Sequence, residues 1–172
     1  QTALSRMMDA GRSFSGNERN CFFINLGNGK FADISGLSGL DFPDDGRAIS
    51  VTDWDNDGDL DLWITNRNAP RLRLMRNDTK EVNSFISLRL SGNGKTVNKD
   101  AIGARIEIIN GNDSGKFKQI KTLRAGQGFL SQSSKWIQFA LNETIKSINI
   151  KISWPDGTVS KIEDVLPNKK YI

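Results

Sequence analysis

Asp53-Trp54-Asp55-Asn56-Asp57-Gly58-Asp59-Leu60-Asp61 sets five carboxylates at alternate positions of nine residues. Two such charges about 4 Å apart repel by roughly 4 kcal/mol at an effective dielectric of about 20. A loop that gathers them needs a cation, and so many hard oxygen donors suit Ca²⁺ better than Mg²⁺. The spacing indicates how they converge. Asp53, Asp55 and Asp57 take loop positions 1, 3 and 5, and Gly58 at position 6 permits the sharp turn. Asp59 at position 7 then offers its backbone carbonyl, and Asp61 at position 9 closes the site with its carboxylate. An EF-hand is excluded on two counts: position 12 is Ile64 rather than Glu, and residues 48–51 and 60–64 read as strands rather than helices. The expected unit is a strand–loop–strand metal site in a mainly β chain.

Upstream of the loop, residues 2–10 favour a short N-terminal helix ending at Gly11, with Leu4, Met7 and Met8 at helical spacing and expected to pack. Residues 22–25 and 30–34 read as a hairpin around Gly27-Asn28-Gly29. Cys21, the single cysteine, is expected to be a buried small hydrophobe, and one cysteine excludes an internal disulfide. Residues 35–47, with Gly36, Gly39, Pro43 and Gly46, read as a loop in which Asp41, Asp44 and Asp45 are solvated turn residues. Downstream, Arg71-Leu72-Arg73-Leu74-Met75-Arg76 alternates strictly, giving one apolar and one basic face. Residues 77–83 are polar and aperiodic, which places a domain boundary there, between residues 1–80 and 84–172.

The second half reads as successive strands separated by turns: residues 85–90, 104–109, 117–123, 136–141, 148–154 and 159–162. Ile148, Ile150, Ile152 and Trp154 form its clearest period-two face. Many short strands at turn-spaced intervals point to an antiparallel sandwich.

Two resemblances follow from these stretches. The loop Asp53 to Asp61, with Asn25-Leu26-Gly27-Asn28-Gly29-Lys30-Phe31-Ala32-Asp33, resembles an FG-GAP/VCBS-type repeat, the blade of integrin-like β-propellers, over about residues 21–80. That resemblance implies Ca²⁺ held by Asp53, Asp55, Asp57, Asp59 (backbone) and Asp61. Asp100-Ala101-Ile102-Gly103-Ala104-Arg105, Leu123-Arg124-Ala125-Gly126-Gln127-Gly128-Phe129-Leu130-Ser131-Gln132-Ser133, Phe139-Ala140-Leu141 and Ile152-Ser153-Trp154-Pro155-Asp156-Gly157 occur in order and together resemble the ASPIC/UnbV domain over about residues 84–165. This family resemblance implies a secreted or cell-surface, extracellular or periplasmic, calcium-associated protein. It supplies no catalytic residues. One repeat does not make a propeller, so the chain is expected to be cut from a longer secreted protein, with its blade-like segment packed on the sandwich.

The composition restricts function further. The sequence has no histidine, which removes Ser-His-Asp and Cys-His catalysis and every His-bearing zinc site. No apolar run approaches the roughly 18 residues of a membrane span, so membrane insertion is not expected. Residues 1–80 carry 10 basic and 12 acidic residues, net −2; residues 81–172 carry 14 and 8, net +6. The basic residues are scattered rather than clustered, so a solvated face is expected and a nucleic-acid partner is not. Gly126-Gln127-Gly128 lacks the third glycine of a nucleotide loop and reads as a tight turn; Ser131, Ser133 and Ser134 have no base to activate them. Trp63, Trp136 and Trp154 are core candidates, whereas Trp54 lies inside the acidic loop and is expected to be exposed.

The expected function is a non-catalytic calcium-binding extracellular module for an extracellular protein or glycan. Two alternatives stand beside it: a carbohydrate-active enzyme using paired carboxylates drawn from Asp44, Asp45 and Asp61, and a purely structural spacer.

Overall fold

Alternation along the chain becomes strands, and almost every expected strand forms. The computed structural model describes residues 2–10, 12, 18–79, 84–110 and 118–172. Gly11, residues 80–83 of the expected boundary, the turn at 111–112 and the start of the strand at Phe117 lie outside the described residues.

The chain forms two compact units, Gln1–Ile49 with Trp63–Met75, and Ser50–Leu62 with Arg76–Ile172. The acidic loop therefore groups with the C-terminal residues rather than falling on the N-terminal side of a boundary near residue 80.

The first unit opens with α1 (Ala3–Asp9), whose first turn is capped when the Ser5 N–H donates to Thr2 Oγ1 over 3.3 Å. Contrary to the sequence expectation, this helix buries no side chain; Leu4, Met7 and Met8 are all exposed. Strands β1 (Phe23–Gly27) and β2 (Lys30–Asp33) pair antiparallel around Asn28 and Gly29, both at positive φ, as a tight hairpin turn requires. Cys21 is exposed rather than buried. Within the expected loop a short helix, α2 (Ser35–Ser38), forms instead. The Asp33 carboxylate accepts the Ser35 N–H and hydroxyl before it, and Gly39 ends it in the left-handed conformation. Asp41, Asp44 and Asp45 are not free turn residues. Asp41 pairs with Arg19, Asp45 with Arg47, and Asp44 with Arg73 while accepting from Asn66. Arg73 also lies 4.0 Å over the Phe42 ring. Part of the basic face of residues 71–76 is thus neutralised internally. Strands β3 (Gly46–Thr52), β4 (Asp61–Asn66) and β5 (Leu72–Met75) form a three-stranded sheet in the order β3-β4-β5.

The second unit carries the hydrophobic core. Strands β6 (Ser84–Arg89), β7 (Arg105–Asn110), β8 (Lys118–Thr122), β9 (Trp136–Leu141), β10 (Ile148–Ser153), β11 (Val159–Val165) and β12 (Lys169–Tyr171) make two sheets, ordered β11-β10-β7-β8 and β12-β6-β9. Ile148, Ile150 and Ile152 alternate inward as expected and meet Ile106, Ile108, Ile86, Leu88 and Phe139 in one continuous cluster. Trp154 packs partly buried against that cluster, with its indole N–H donating to Ser160 Oγ over 2.8 Å. Pairing is antiparallel except between β12 and β6, which run parallel. The short link after Val165 carries the chain from one edge of the first sheet to one edge of the second. It is fixed where the Asn168 N–H donates to Phe85 O and its side chain accepts the Phe85 N–H.

Candidate metal centre

Residues 53–60 leave β3 and turn back into β4 through a succession of short side chain-to-backbone contacts. The Asp57 N–H donates to Asp55 Oδ1 at 3.3 Å, and the Asp59 N–H to Asp57 Oδ1 at 2.8 Å. Asp favours such local turns because its short carboxylate reaches the amide two residues on. Asn56 and Gly58 both have positive φ, and Gly58 is needed for a second reason: a Cβ placed there would lie 2.5 Å from the Phe85 ring. The Gly58 carbonyl in turn accepts from Gln138 Nε2.

One carboxylate oxygen from each of Asp53, Asp55 and Asp57 lies within 4.8 Å of the others. Calcium holds oxygen at about 2.3–2.6 Å, so its ligands lie within about 5.2 Å of one another, and the three oxygens meet that requirement. Asp53 is the buried member, at 8% side-chain exposure. Neither of its oxygens receives a hydrogen bond among the described residues. Lys170 Nζ approaches Oδ2 to 2.8 Å, an ion contact off the hydrogen-bonding direction, and donates properly to Asn56 Oδ1 at 2.8 Å. Asp53 thus has an ammonium beside one oxygen but no hydrogen bond at either among the described residues, which leaves room at the buried carboxylate for a further electropositive partner.

Asp59 and Asp61 take different places. Partial burial, followed by the charges of Asp57, Asp53, Asp61 and Asp55, pushes the Asp59 carboxyl above its ordinary range. Its side chain therefore senses the whole acidic group, although spacing had assigned it only a backbone role. Asp61 is fully buried, and its two oxygens accept the N–H groups of Trp54 and Asn77, each at 2.8 Å. It ties the start of the loop to the chain beyond β5. Asp61 is not among the three that converge most closely. Arg76 Nε lies 4.0 Å from Asp55 and 2.8 Å from Asp78. Lys170 and Arg76 are the site residues that spacing could not find, since neither belongs to the motif. Trp54 is exposed, as its position within the loop suggested.

Residues 94–172 match the ASPIC and UnbV family, and this segment is an ASPIC/UnbV domain. No curated protein sequence and no solved structure matches the chain. Among the described residues no helix is long and apolar enough to cross a membrane.

Proposed function

We propose that the chain is a non-catalytic, calcium-binding extracellular module, in which residues 21–80 form an FG-GAP/VCBS-type repeat joined to the ASPIC/UnbV domain. The observation that carries this reading is the meeting of the Asp53, Asp55 and Asp57 oxygens within 4.8 Å, with buried Asp53 receiving no hydrogen bond among the described residues. Asp53, Asp55 and Asp57 supply carboxylate oxygens, and Asp59 adds its carbonyl. Asp61 orients the loop by accepting the N–H groups of Trp54 and Asn77. A bound Ca²⁺ supplies the positive charge that lets these groups stay together. Lys170 and Arg76 contribute two further charges from the protein itself.

The test is thermal melting with calcium and with chelator. At free calcium about 100-fold above its Kd the expected stabilisation is about 2.7 kcal/mol, or roughly 5–10 °C in Tm for a chain of this size. The double variant Asp55→Asn, Asp57→Asn should lose that shift. Equal melting temperatures for the unaltered protein in calcium and in chelator reject the reading.

The enzyme alternative is less well supported. A glycosidase needs one carboxyl held protonated beside a second, ionised one. Asp44 is instead held below the usual carboxylate range, first by its hydrogen bond from Arg73, and Asp61 is occupied by two backbone N–H groups. The proposed partner is an extracellular protein or glycan, with neither nucleic acid nor membrane insertion involved.

A further inference from the structure

The two sheets of the ASPIC/UnbV-bearing unit each end in an unpaired edge, β8 on one and β9 on the other. Side chains, not backbone, bridge these edges. Gln119 Nε2 donates to Ala140 O at 2.6 Å, and Lys121 Nζ donates to Gln138 O at 2.5 Å. At one end of this seam lies a groove of about 600 Å³, within the range of small-molecule sites. Its rim is anchored rather than loose. The Val51 N–H donates to Ser133 Oγ at 3.1 Å, the Ser134 N–H to Val51 O at 3.1 Å, and the Gln127 N–H to Ser131 O at 3.0 Å.

The chemistry of the lining is one-sided. Lys121 and Arg124 face the groove, and among the described residues no carboxylate does. Arg124 makes no ion pair or hydrogen bond among the described residues, whereas Arg47, Arg73 and Arg89 are paired with aspartates. Although Lys121 keeps solvent-exposed surface, desolvation by its neighbours draws its pKa down, as happens to an ammonium with no anion beside it. The hydroxyls add to the same bias. Ser133 and Ser134 use their oxygens to accept backbone N–H groups of Val51 and Trp136, which leaves each O–H to donate. Half-buried Trp136 presents its ring, and among the described residues its indole N–H has no partner. A ligand for such a surface offers acceptors, carries negative charge and has an apolar face for an indole. Polyphosphates lack that face, and apolar peptides lack the charge.

We propose that this groove binds a carboxylated oligosaccharide, with Arg124 and Lys121 taking the carboxylates, Trp136 stacking on a sugar face, and Ser133 and Ser134 donating to its oxygens. Uronate sugars combine these features: ring C–H faces suited to an indole, hydroxyls, and one carboxylate per residue. The inference shares with the function proposed above the idea of a glycan-binding module, but it does not depend on the metal.

The experiment is a titration of the whole chain with tetragalacturonate in the presence of chelator, followed by calorimetry and tryptophan fluorescence, with galactotetraose as the neutral counterpart. Saturable one-site binding of tetragalacturonate is expected, at least about tenfold tighter than galactotetraose. Arg124→Gln should weaken it by about tenfold or more while leaving Tm unchanged, because the side chain is exposed and without an internal partner. Lys146→Gln, which alters an exposed lysine outside the groove lining, should leave binding as it was. No binding, equal affinity for the neutral sugar, indifference to Arg124→Gln, or an equal loss with Lys146→Gln would each overturn the proposal. Because the titration runs in chelator and the calcium reading is tested by melting, either can fail without the other.

Discussion

The two compact units use the same strand alternation and reach opposite outcomes. In Ser50–Leu62 with Arg76–Ile172, the inward positions of β6, β7, β9 and β10 meet across two sheets, and Ile86, Ile106, Ile108, Phe139 and Ile148 are fully buried. In Gln1–Ile49 with Trp63–Met75, Ile64 is the one buried hydrophobic side chain among the described residues, while Phe23, Phe31 and Leu37 are 56%, 63% and 89% exposed. The difference is not one of composition. A two-stranded hairpin has no second layer on which to close, so its apolar positions stay in water whatever their pattern. What organises that unit is polar: Arg73 and Asn66 on Asp44, Arg19 on Asp41, Arg47 on Asp45. The Arg19–Asp41 pair is exposed, and Arg47 and Arg73 reach solvent although Asp45 and Asp44 are largely buried. Pairs open to solvent contribute little each, typically about 0–1 kcal/mol, against about 1.5–3 kcal/mol for burying one large apolar side chain.

The widest gap between the units should appear on truncating matched aromatics. Phe139→Ala is expected to cost about 3–5 kcal/mol, and Phe31→Ala less than about 0.5 kcal/mol, read from urea midpoints at constant slope. Comparable losses at the two positions would break the contrast.

Gly58→Ala should have an intermediate effect, about 1–3 kcal/mol, because the added methyl meets the Phe85 ring and the backbone there has a φ of 101°. A melting curve that does not move would show that the loop yields independently of β6, and the acidic loop would no longer group with the sandwich.

The smallest effect concerns acid. Arg73 holds the Asp44 carboxyl below its ordinary range, chiefly by hydrogen bonding, so the pair's stabilisation is fully present above the ordinary carboxylate pKa and is lost as pH falls through the depressed one. Lys118 does the same for Glu107 in the other unit. Carboxyl-carbon NMR titration should show Asp44 moving up toward the ordinary carboxylate range in Arg73→Met, and Glu107 likewise in Lys118→Met. An unmoved Asp44 in Arg73→Met would remove the polar account of the N-terminal unit.

Much of this fold was legible from local pattern. Ile148, Ile150 and Ile152 announced a buried face, and Gly27-Asn28-Gly29 a hairpin. The misreadings concern the surroundings of a residue rather than its own preference. Cys21 and the α1 methionines have apolar character but no surface to cover them, and Asp41, Asp44 and Asp45 have turn character but arginines within reach. At the candidate metal centre, spacing alone brought Asp53, Asp55 and Asp57 together. It did not reveal that the Asp61 oxygens accept from Trp54 and Asn77.

The sequence by itself determined where every strand but β12 lies, which side of each of those strands is apolar, and where nine residues concentrate five negative charges. Those properties are local: they follow from side-chain periodicity, turn chemistry and charge spacing over a few residues. Only the tertiary structure decided that Lys170, 114 positions from Asn56, comes to rest on the acidic loop. Likewise it alone left β8 and β9 as facing edges joined by side chains, with Arg124, unpaired among the described residues, beside them. No periodicity encodes such meetings, because they depend on which sheets stack and which edges remain open once the core has closed.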